Sequence, residues 1–486
     1  MKKIIIYISS GTFIIIVALL AITIYYSKVL YLTDSIRSYY IDSYEWIFSK
    51  NSSIKIINSD KYKRYKKTFN DLPNEFIHIG DFLLYNARAK TNLRDISHQA
   101  IKYTNYFNAI SLTTAIRKYN SLTGNSVNTG QVLLIPGSLN PFILDPGKLK
   151  KPNIRYSKGL YFTGYSTGSA NFLKKIALFK KYGINTVVFD AKDVTGYVNY
   201  KSKIKEVKKY KTDKMSSIDN IEMLIRELRK NNIYIIARVA LFRDHLLAKK
   251  FPKLAIRSKR TGWIWNARSS ELWCDPTNKL VQEYNINLAI ELAEMGVDEI
   301  QFDYIRFPTA GNLKDAKYSY DFGKMSNEQV ITHFLKRAYA EISSRNTLLS
   351  IDIFGVVAWG KKVDIRKTGQ NIELLSQYCD VISPMLYPSH FNYKFDGFSN
   401  PADHPYYYIF NGCQKVIKLL KRKIAIRPWL QAFGWRVTNY NEQYIRKQIK
   451  ASDDSGAMGY LMWNASNKYG AVYRALQNVN DEKKQN

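Results

Sequence analysis

Cysteine is scarce in this chain: three residues in 486, Cys274, Cys379 and Cys413, with no Cys-x-x-Cys spacing. That excludes a disulfide framework and a cysteine-built zinc module. One disulfide remains arithmetically open, and burial as small hydrophobes is the expectation. Histidine is also rare, six in all. A loop cluster of His390, Asp403 and His404 is the alternative use as ligands, but it has no fixed spacing, so neither a metal nor a cofactor is expected. There is no Gly-x-Ser-x-Gly elbow and no P-loop, and the segment 164–168 is not a dinucleotide or phosphate loop. Acidic residues are outnumbered, 40 Asp+Glu against 73 Lys+Arg, leaving a net charge of +33. The lysines are scattered as singletons and pairs such as Lys174 with Lys175, without a zinc finger, RNP-like strand or basic zipper. Nucleic acid is therefore not the expected partner. The choice is between a solvated basic face and attraction to an anionic membrane or cell-wall polymer.

What is present in abundance is aromatic and apolar mass. The chain holds 37 tyrosines and 23 phenylalanines and is 46% hydrophobic, enough for a large core and too much for a disordered chain. Residues 4–26 carry no charge and are long enough to cross a bilayer as a helix. A cleaved signal peptide is the alternative, but the apolar run is too long and no small-x-small site follows it. The expectation is a single-pass anchor in the cytoplasmic membrane over 1–28. Lys2 and Lys3 place the N-terminus inside and leave everything after Lys28 extracytoplasmic. A juxtamembrane stalk over 29–74 follows, with a helix around 34–48.

Residues 75–137 read as a small α+β module. Its parts are a short apolar strand before Gly80 and Asp81, helical stretches over 91–100 and 111–119, and a strand over 132–135 stopped by Pro136. The Gly-Asp pair, the Ala-Ile-x-x-Tyr-Asn segment at 115–120 and the closing Gly-x-x-Leu-x-Ile-Pro at 130–136 resemble a LysM module. That resemblance implies binding to N-acetylglucosamine-containing polymers such as peptidoglycan. An adaptor without a ligand is the equal alternative. A Pro- and Lys-rich linker covers 138–155.

From residue 156 to 480 short β-branched or aromatic runs alternate with helical stretches, and 481–486 form a tail. Strands are expected over 159–165, 185–191, 233–242, 299–307, 348–354, 381–387, 424–430 and 458–463. Helices are expected over 170–182, 218–230, 278–295 (with Asp275 as cap and Pro276 in the first turn), 327–342, 414–420, 442–450 and from about 469. Eight strand-then-helix units predict a closed (β/α)₈ TIM barrel in the α/β class, with a doubly wound sheet as the alternative.

Active sites of such barrels gather at the C-terminal strand ends, where alternate residues point inward. Polar residues recur there: Asp190 and Lys192, Arg238, Gln301 and Asp303, Asp352, Gln431 and Asn464. Aromatics accompany them, among them Tyr161, Tyr165, Tyr304, Trp359, Tyr387, Trp429, Trp435 and Trp463. Carboxylates beside aromatic faces suit a sugar, which stacks its C–H faces and hydrogen-bonds its hydroxyls. Glycosidic cleavage needs two carboxyl groups, one protonated and one ionised. Asp303 and Asp352 are the expected pair. Asp303, beside a cation such as Arg306 or Arg238, suits the ionised role, and Asp352, between two isoleucines, suits the proton donor; Asp190 is the reserve acid. Long insertions at 243–278 and 388–408, rich in Trp, Tyr, Phe and His, are expected to wall a polymer cleft.

The segment 295–308, Met-Gly-Val-Asp-Glu-Ile-Gln-Phe-Asp-Tyr-Ile-Arg-Phe-Pro, resembles the signature of the glycoside-hydrolase-like domain family DUF4015. Matching pieces lie at 159–161, 185–192, 273–276, 352–355, 383–388 and 427–430. The resemblance implies a TIM barrel akin to amylase-like and other glycoside hydrolases, with Asp303 on strand four in the usual place of a catalytic carboxylate. The expected activity is hydrolysis, or transglycosylation, of a cell-envelope or extracellular polysaccharide. The rival is a non-catalytic carbohydrate-binding or envelope-scaffolding protein on the same barrel.

Overall fold

Runs rich in Val, Ile and aromatic residues become strands here because each is flanked by helices that bury its outward face. The computed structural model describes residues 46–48, 54–56, 72–79, 81–138, 151–267, 271–319 and 325–485. The chain divides into two compact units, Met1–Ile96 with Ala115–Pro141, and Ser97–Thr114 with Phe142–Asn486. In the first, Phe76–Ile79, Phe82–Asn86 and Val132–Pro136 form a three-stranded antiparallel sheet. The strand expected at 132–135 is thus present.

The second unit carries the barrel. Its strands are β1 (Ser157–Phe162), β2 (Thr186–Lys192), β3 (Tyr234–Ala240), β4 (Glu299–Asp303), β5 (Leu348–Phe354), β6 (Val381–Met385), β7 (Trp429–Gln431) and β8 (Gly459–Trp463). Each pairs in parallel with the next, and β8 pairs with β1, closing the ring. The doubly wound alternative is excluded by that closure. Helices α1 (Lys175–Lys181), α2 (Ile221–Lys230), α3 (Lys279–Glu294), α4 (Asn327–Ser343), α5 (Lys362–Thr368), α6 (Pro405–Lys418), α7 (Glu442–Asp454) and α8 (Gly470–Gln485) follow the strands in turn.

Period-two alternation divides the core. Outward residues such as Phe189, Val239, Phe302 and Ile351 pack in the large cluster that also holds helix residues, with Phe302 against Phe334 of α4 at 5.8 Å. Inward residues, among them Tyr161, Val188, Ile236, Trp429 and Leu461, form a separate cluster in the lumen. Gly159 faces Leu461 so closely that a Cβ would collide with the leucine side chain. At the lower end Arg427 donates to both carboxylate oxygens of Glu299 at 3.0 Å, and the Tyr234 hydroxyl donates to Glu299 at 2.9 Å. Both charged side chains are fully buried.

Several element boundaries differ from expectation for local reasons. β4 stops at Asp303 because Tyr304 adopts a left-handed φ of 53°. Pro428 splits the seventh strand into Ala425–Ile426 and Trp429–Gln431. Asn278, not Asp275, caps α3, its side chain accepting from Leu280 N at 2.9 Å, while Asp275 instead binds Thr277 and Ser319. α6 begins at Pro405, well before the expected 414, since Tyr408, Ile409, Gly412, Cys413 and Val416 form one helical stripe. The three cysteines are free and buried.

One part of the expected architecture is corrected. The transmembrane helix expected over 4–26 lies outside the described residues, and among the described residues no helix is long and apolar enough to cross a membrane. The membrane anchor, the lipid bilayer as partner and the single-pass localisation with extracytoplasmic domains all rest on that helix, and all are withdrawn with it. The helix expected at 34–48 also falls largely outside the described residues, and its last three, Trp46–Phe48, are a strand paired with Ile54–Ile56.

The Glu299–Arg427 pair generates a stability prediction. Arg427→Met leaves a buried carboxylate unpaired and should lower unfolding free energy by about 3–5 kcal/mol, the usual cost of breaking a buried pair. Adding Glu299→Gln should restore much of the loss, as read from urea denaturation midpoints of the single and double variants.

Candidate active site

Arg238 organises the upper mouth of the barrel. It stands inward on β3, between β2 and β4, and its guanidinium is fixed by acids on both. Nη2 and Nε donate to Asp303 Oδ2 at 2.5 and 3.1 Å, and Nη1 donates to Asp190. Asp190 also accepts from the Tyr161 hydroxyl at 2.6 Å. The other oxygen of Asp303 accepts from the backbone N of Tyr304 at 2.5 Å, a contact permitted by the left-handed turn at Tyr304. Asp303 thus faces a fixed cation and an oriented backbone dipole.

Asp352 has a different environment. The register pairs Phe302 with Ile351, so Asp303 and Asp352 stand level on neighbouring strands, which in parallel sheets lie about 4.8 Å apart. Asp352 is 1% exposed. One oxygen accepts from the Trp429 indole N–H at 2.7 Å, and the other has no partner. Burial, and next the charge of Asp303, push its pKa well above the usual carboxylate range, against the pull of Arg238. Burial also raises the pKa of Asp190, outweighing Arg238. Glu299 shares the inward parity of Asp303 but is bonded to Arg427 at the other end of the barrel.

Above Asp303, the one of these four acids that lines it, opens a cavity of about 430 Å³, lined also by Arg238, Arg306, Tyr387, Trp429 and Trp463. Its far wall is built by the turn after β5 and the loop after β6, through Gly355, Phe391 and Phe395. Gly355 is required there, because a Cβ would strike the carbonyl of Met385. Tyr387 and Trp463 lie 5.6 Å apart as tilted rings at the edge of the lumen.

Not every expected residue joins this group. Lys192 points out of the lumen: a β-bulge after Asp190 pairs Lys192 with outward-facing Val239, and its ammonium binds Asp244 at 2.8 Å and the Ala240 carbonyl at 2.7 Å. Gln301 is buried one layer below Asp303, donating to Ser383 Oγ at 3.3 Å. Trp359 packs among Phe391, Phe395 and Tyr408 and donates to Asp396 at 2.7 Å. Gln431 and Asn464 hold loops, Gln431 by accepting from Ser389 N at 3.1 Å and Asn464 by donating to Ala432 O at 2.6 Å. Tyr165 and Trp435 are exposed. Of the three tryptophans in the 243–278 insertion only Trp263 is exposed; Trp265 and Trp273 are buried in the core. His390 lines the cavity, whereas Asp403 binds Thr438 and His404 packs on Phe398, and among the described residues no three metal-ligating side chains converge.

Cavity residues not expected as site members are Met385, Phe354, Thr309 and Lys367. Met385 was legible in principle, since it shares the inward parity of Ser383 on β6. Phe354 was too, sharing the inward parity of Asp352 on β5, whereas Thr309 and Lys367 lie on segments beyond the strands whose paths periodicity does not encode.

A family model described as "Putative glycosyl hydrolase domain" (DUF4015) matches residues 159–469. No curated protein matches the chain. Among solved structures, a hypothetical protein from Ruminiclostridium thermocellum is 36% identical, with 40% of this chain and 96% of that chain covered and a TM-score of 0.36. The glycoside hydrolase domain of PgaB (BpsB) from Bordetella bronchiseptica is 12% identical over 67% of this chain and 99% of that one, with a TM-score of 0.49. The spore cortex-lytic enzyme SleL of Bacillus megaterium is 12% identical over 87% and 93%, with a TM-score of 0.40. The family match begins after the segment 75–136, and no comparison supports its resemblance to a LysM module.

The raised pKa of Asp352 has a signed consequence for stability. A carboxyl whose pKa is higher folded than unfolded binds more protons in the native state, so its stabilising contribution is complete below about pH 3.9 and is lost as pH rises through the folded pKa. Asp352→Asn mimics the protonated form and keeps an acceptor for Trp429. Relative to the wild type, this variant should gain stability between pH 4 and pH 7. Urea unfolding at the two pH values checks it; a constant difference would contradict a protonated Asp352.

Proposed function

The chain belongs to the DUF4015 glycosyl hydrolase domain family, and from that premise we propose that it hydrolyses glycosidic bonds in a cell-envelope or extracellular polysaccharide, with Asp303 and Asp352 as the working pair. The observation that carries the reading is the unequal environment of two acids level on adjacent strands. Asp303 is paired with Arg238, and Asp352 is buried, with one unpartnered oxygen and an elevated pKa. Two carboxyl groups in such unequal environments are what acid-assisted glycoside cleavage requires.

In this reading the sugar stacks against Tyr387, Trp429 and Trp463 with its anomeric carbon over Asp303. Asp352 gives its proton to the leaving oxygen as the C–O bond breaks, and Asp303 forms a bond to the anomeric carbon. Water then replaces Asp303, passing a proton back to Asp352 and releasing the sugar with a new hydroxyl. The short spacing of adjacent strands supports this two-step, retaining course, which uses carboxyl groups about 5–5.5 Å apart. Asp190 completes the clamp on Arg238 and keeps its planar fork aimed at Asp303. The domain layout proposed with this function has the barrel over 156–480 as the catalytic part and 75–137 as a separate small module.

A polysaccharide panel including intact peptidoglycan, incubated with the full chain and scored for new reducing ends, tests the activity. Asp303→Asn should lower turnover about a thousandfold while sugar affinity is largely kept. Asp352→Asn should do likewise and abolish the alkaline limb of the pH–rate profile. No new ends from any polymer with the folded wild type would transfer the barrel to the binding-only class.

A further inference from the structure

Arg306 is a second cation in the cavity, and unlike Arg238 it has no carboxylate partner among the described residues. Its guanidinium lies between three rings, 5.0 Å from Trp273, 5.3 Å from Tyr304 and 5.1 Å from Phe354. One N–H donates to the Phe307 carbonyl at 3.0 Å, and the buried Nε donates to nothing. The side chain is only 9% exposed, yet it lines the cavity beside Asp303. A guanidinium has five donors in a rigid fork, and a desolvated one without acceptors is costly. Burial lowers its pKa, the direction an absent counter-anion would reverse.

The surrounding charges do not meet the need. Asp303 and Asp190 are both committed to Arg238. Glu271 is paired with Arg243 at 3.1 Å. Asp364 lines the cavity together with exposed Lys367, and neither it nor any other carboxylate among the described residues forms an ion pair with Arg306. The aromatic cradle holds the fork in one orientation, so little ordering remains for a ligand to supply.

We propose that Arg306 receives a carboxylate carried by the substrate, so that the sugar bound in this cavity is an acidic one. This deepens the glycosidase reading and rests on it for the cavity's use, but it concerns recognition and not cleavage. A carboxylate pairs bidentately with a planar guanidinium, and a neutral hydroxyl cannot replace that pairing. The net charge of +33 acts in the same sense at longer range, concentrating an anionic polymer near the surface. Two sugar types supply the group: a uronic acid, with the carboxylate on the ring, and an amino sugar bearing a lactyl ether.

Binding to the full chain at about 0.15 M salt, where surface attraction is largely screened, separates these cases without requiring turnover. The probes are glucuronate against glucose, and N-acetylmuramic acid against N-acetylglucosamine, by calorimetry. At least one acid should bind about tenfold or more tightly than its neutral counterpart, and which one does identifies the carboxylate's position. Arg306→Gln should erase the preference, whereas Lys367→Ala, which removes the same charge at the rim, should leave most of it. Equal behaviour of acid and neutral sugars in the wild type, whether all bind or none does, overturns the proposal, as does a preference that survives Arg306→Gln. Acid-selective binding without any cleavage would instead sink the glycosidase reading and leave this one standing.

Discussion

The barrel mouth depends on one guanidinium shared by two acids. Arg238 sits where water is nearly excluded, and a cation there is tolerable only because Asp190 and Asp303 approach it from the strands on either side. The same pairing sets the two neighbouring carboxyl groups of the mouth apart. With Asp303 committed to Arg238, the next acid along the ring, Asp352, experiences both burial and a nearby negative charge, and the proton is retained there. Two chemically identical side chains acquire different environments through their neighbours alone.

Much of this was legible in the sequence. Eight strand-then-helix units, the inward parity of Asp190, Arg238, Asp303 and Asp352, and the aromatic residues at the strand ends are all consequences of period-two alternation. The barrel gathers these residues at one mouth as that pattern requires. What alternation does not encode is irregularity. The bulge between Asp190 and Lys192 reverses the parity of a single lysine and sends it to Asp244 in the helix-facing layer. The left-handed turn at Tyr304 ends β4 early and turns a strand residue into a loop residue. Tertiary packing also outweighs composition. The tyrosines at 406–408 read as loop aromatics, yet they lie in the first turn of α6 behind Pro405. Trp265 and Trp273 read as cleft walls, yet they are core. The membrane helix expected over 4–26 lies outside the described residues, among which no helix is long and apolar enough to span a bilayer.

The two arginines of the cavity show how position changes one residue type. Arg238 is anchored by acids and serves the geometry of the mouth. Arg306 is anchored by rings, which hold its plane without using its donors. The first arrangement satisfies the side chain internally; the second leaves it facing outward to whatever occupies the space. The sequence places Arg306 as a companion for Asp303, and its release from that role by Arg238 is visible only in three dimensions.

The ion pair of Arg427 with Glu299, roofed by Tyr234, closes the barrel at its far end. A tube stoppered in this way is a blind well with one opening. A polymer cannot be drawn through it as through a ring; it must lie across the rim or dip one terminus inside. Whatever binds at the bottom has to leave by the route along which it arrived. Arrival and departure therefore share a single doorway.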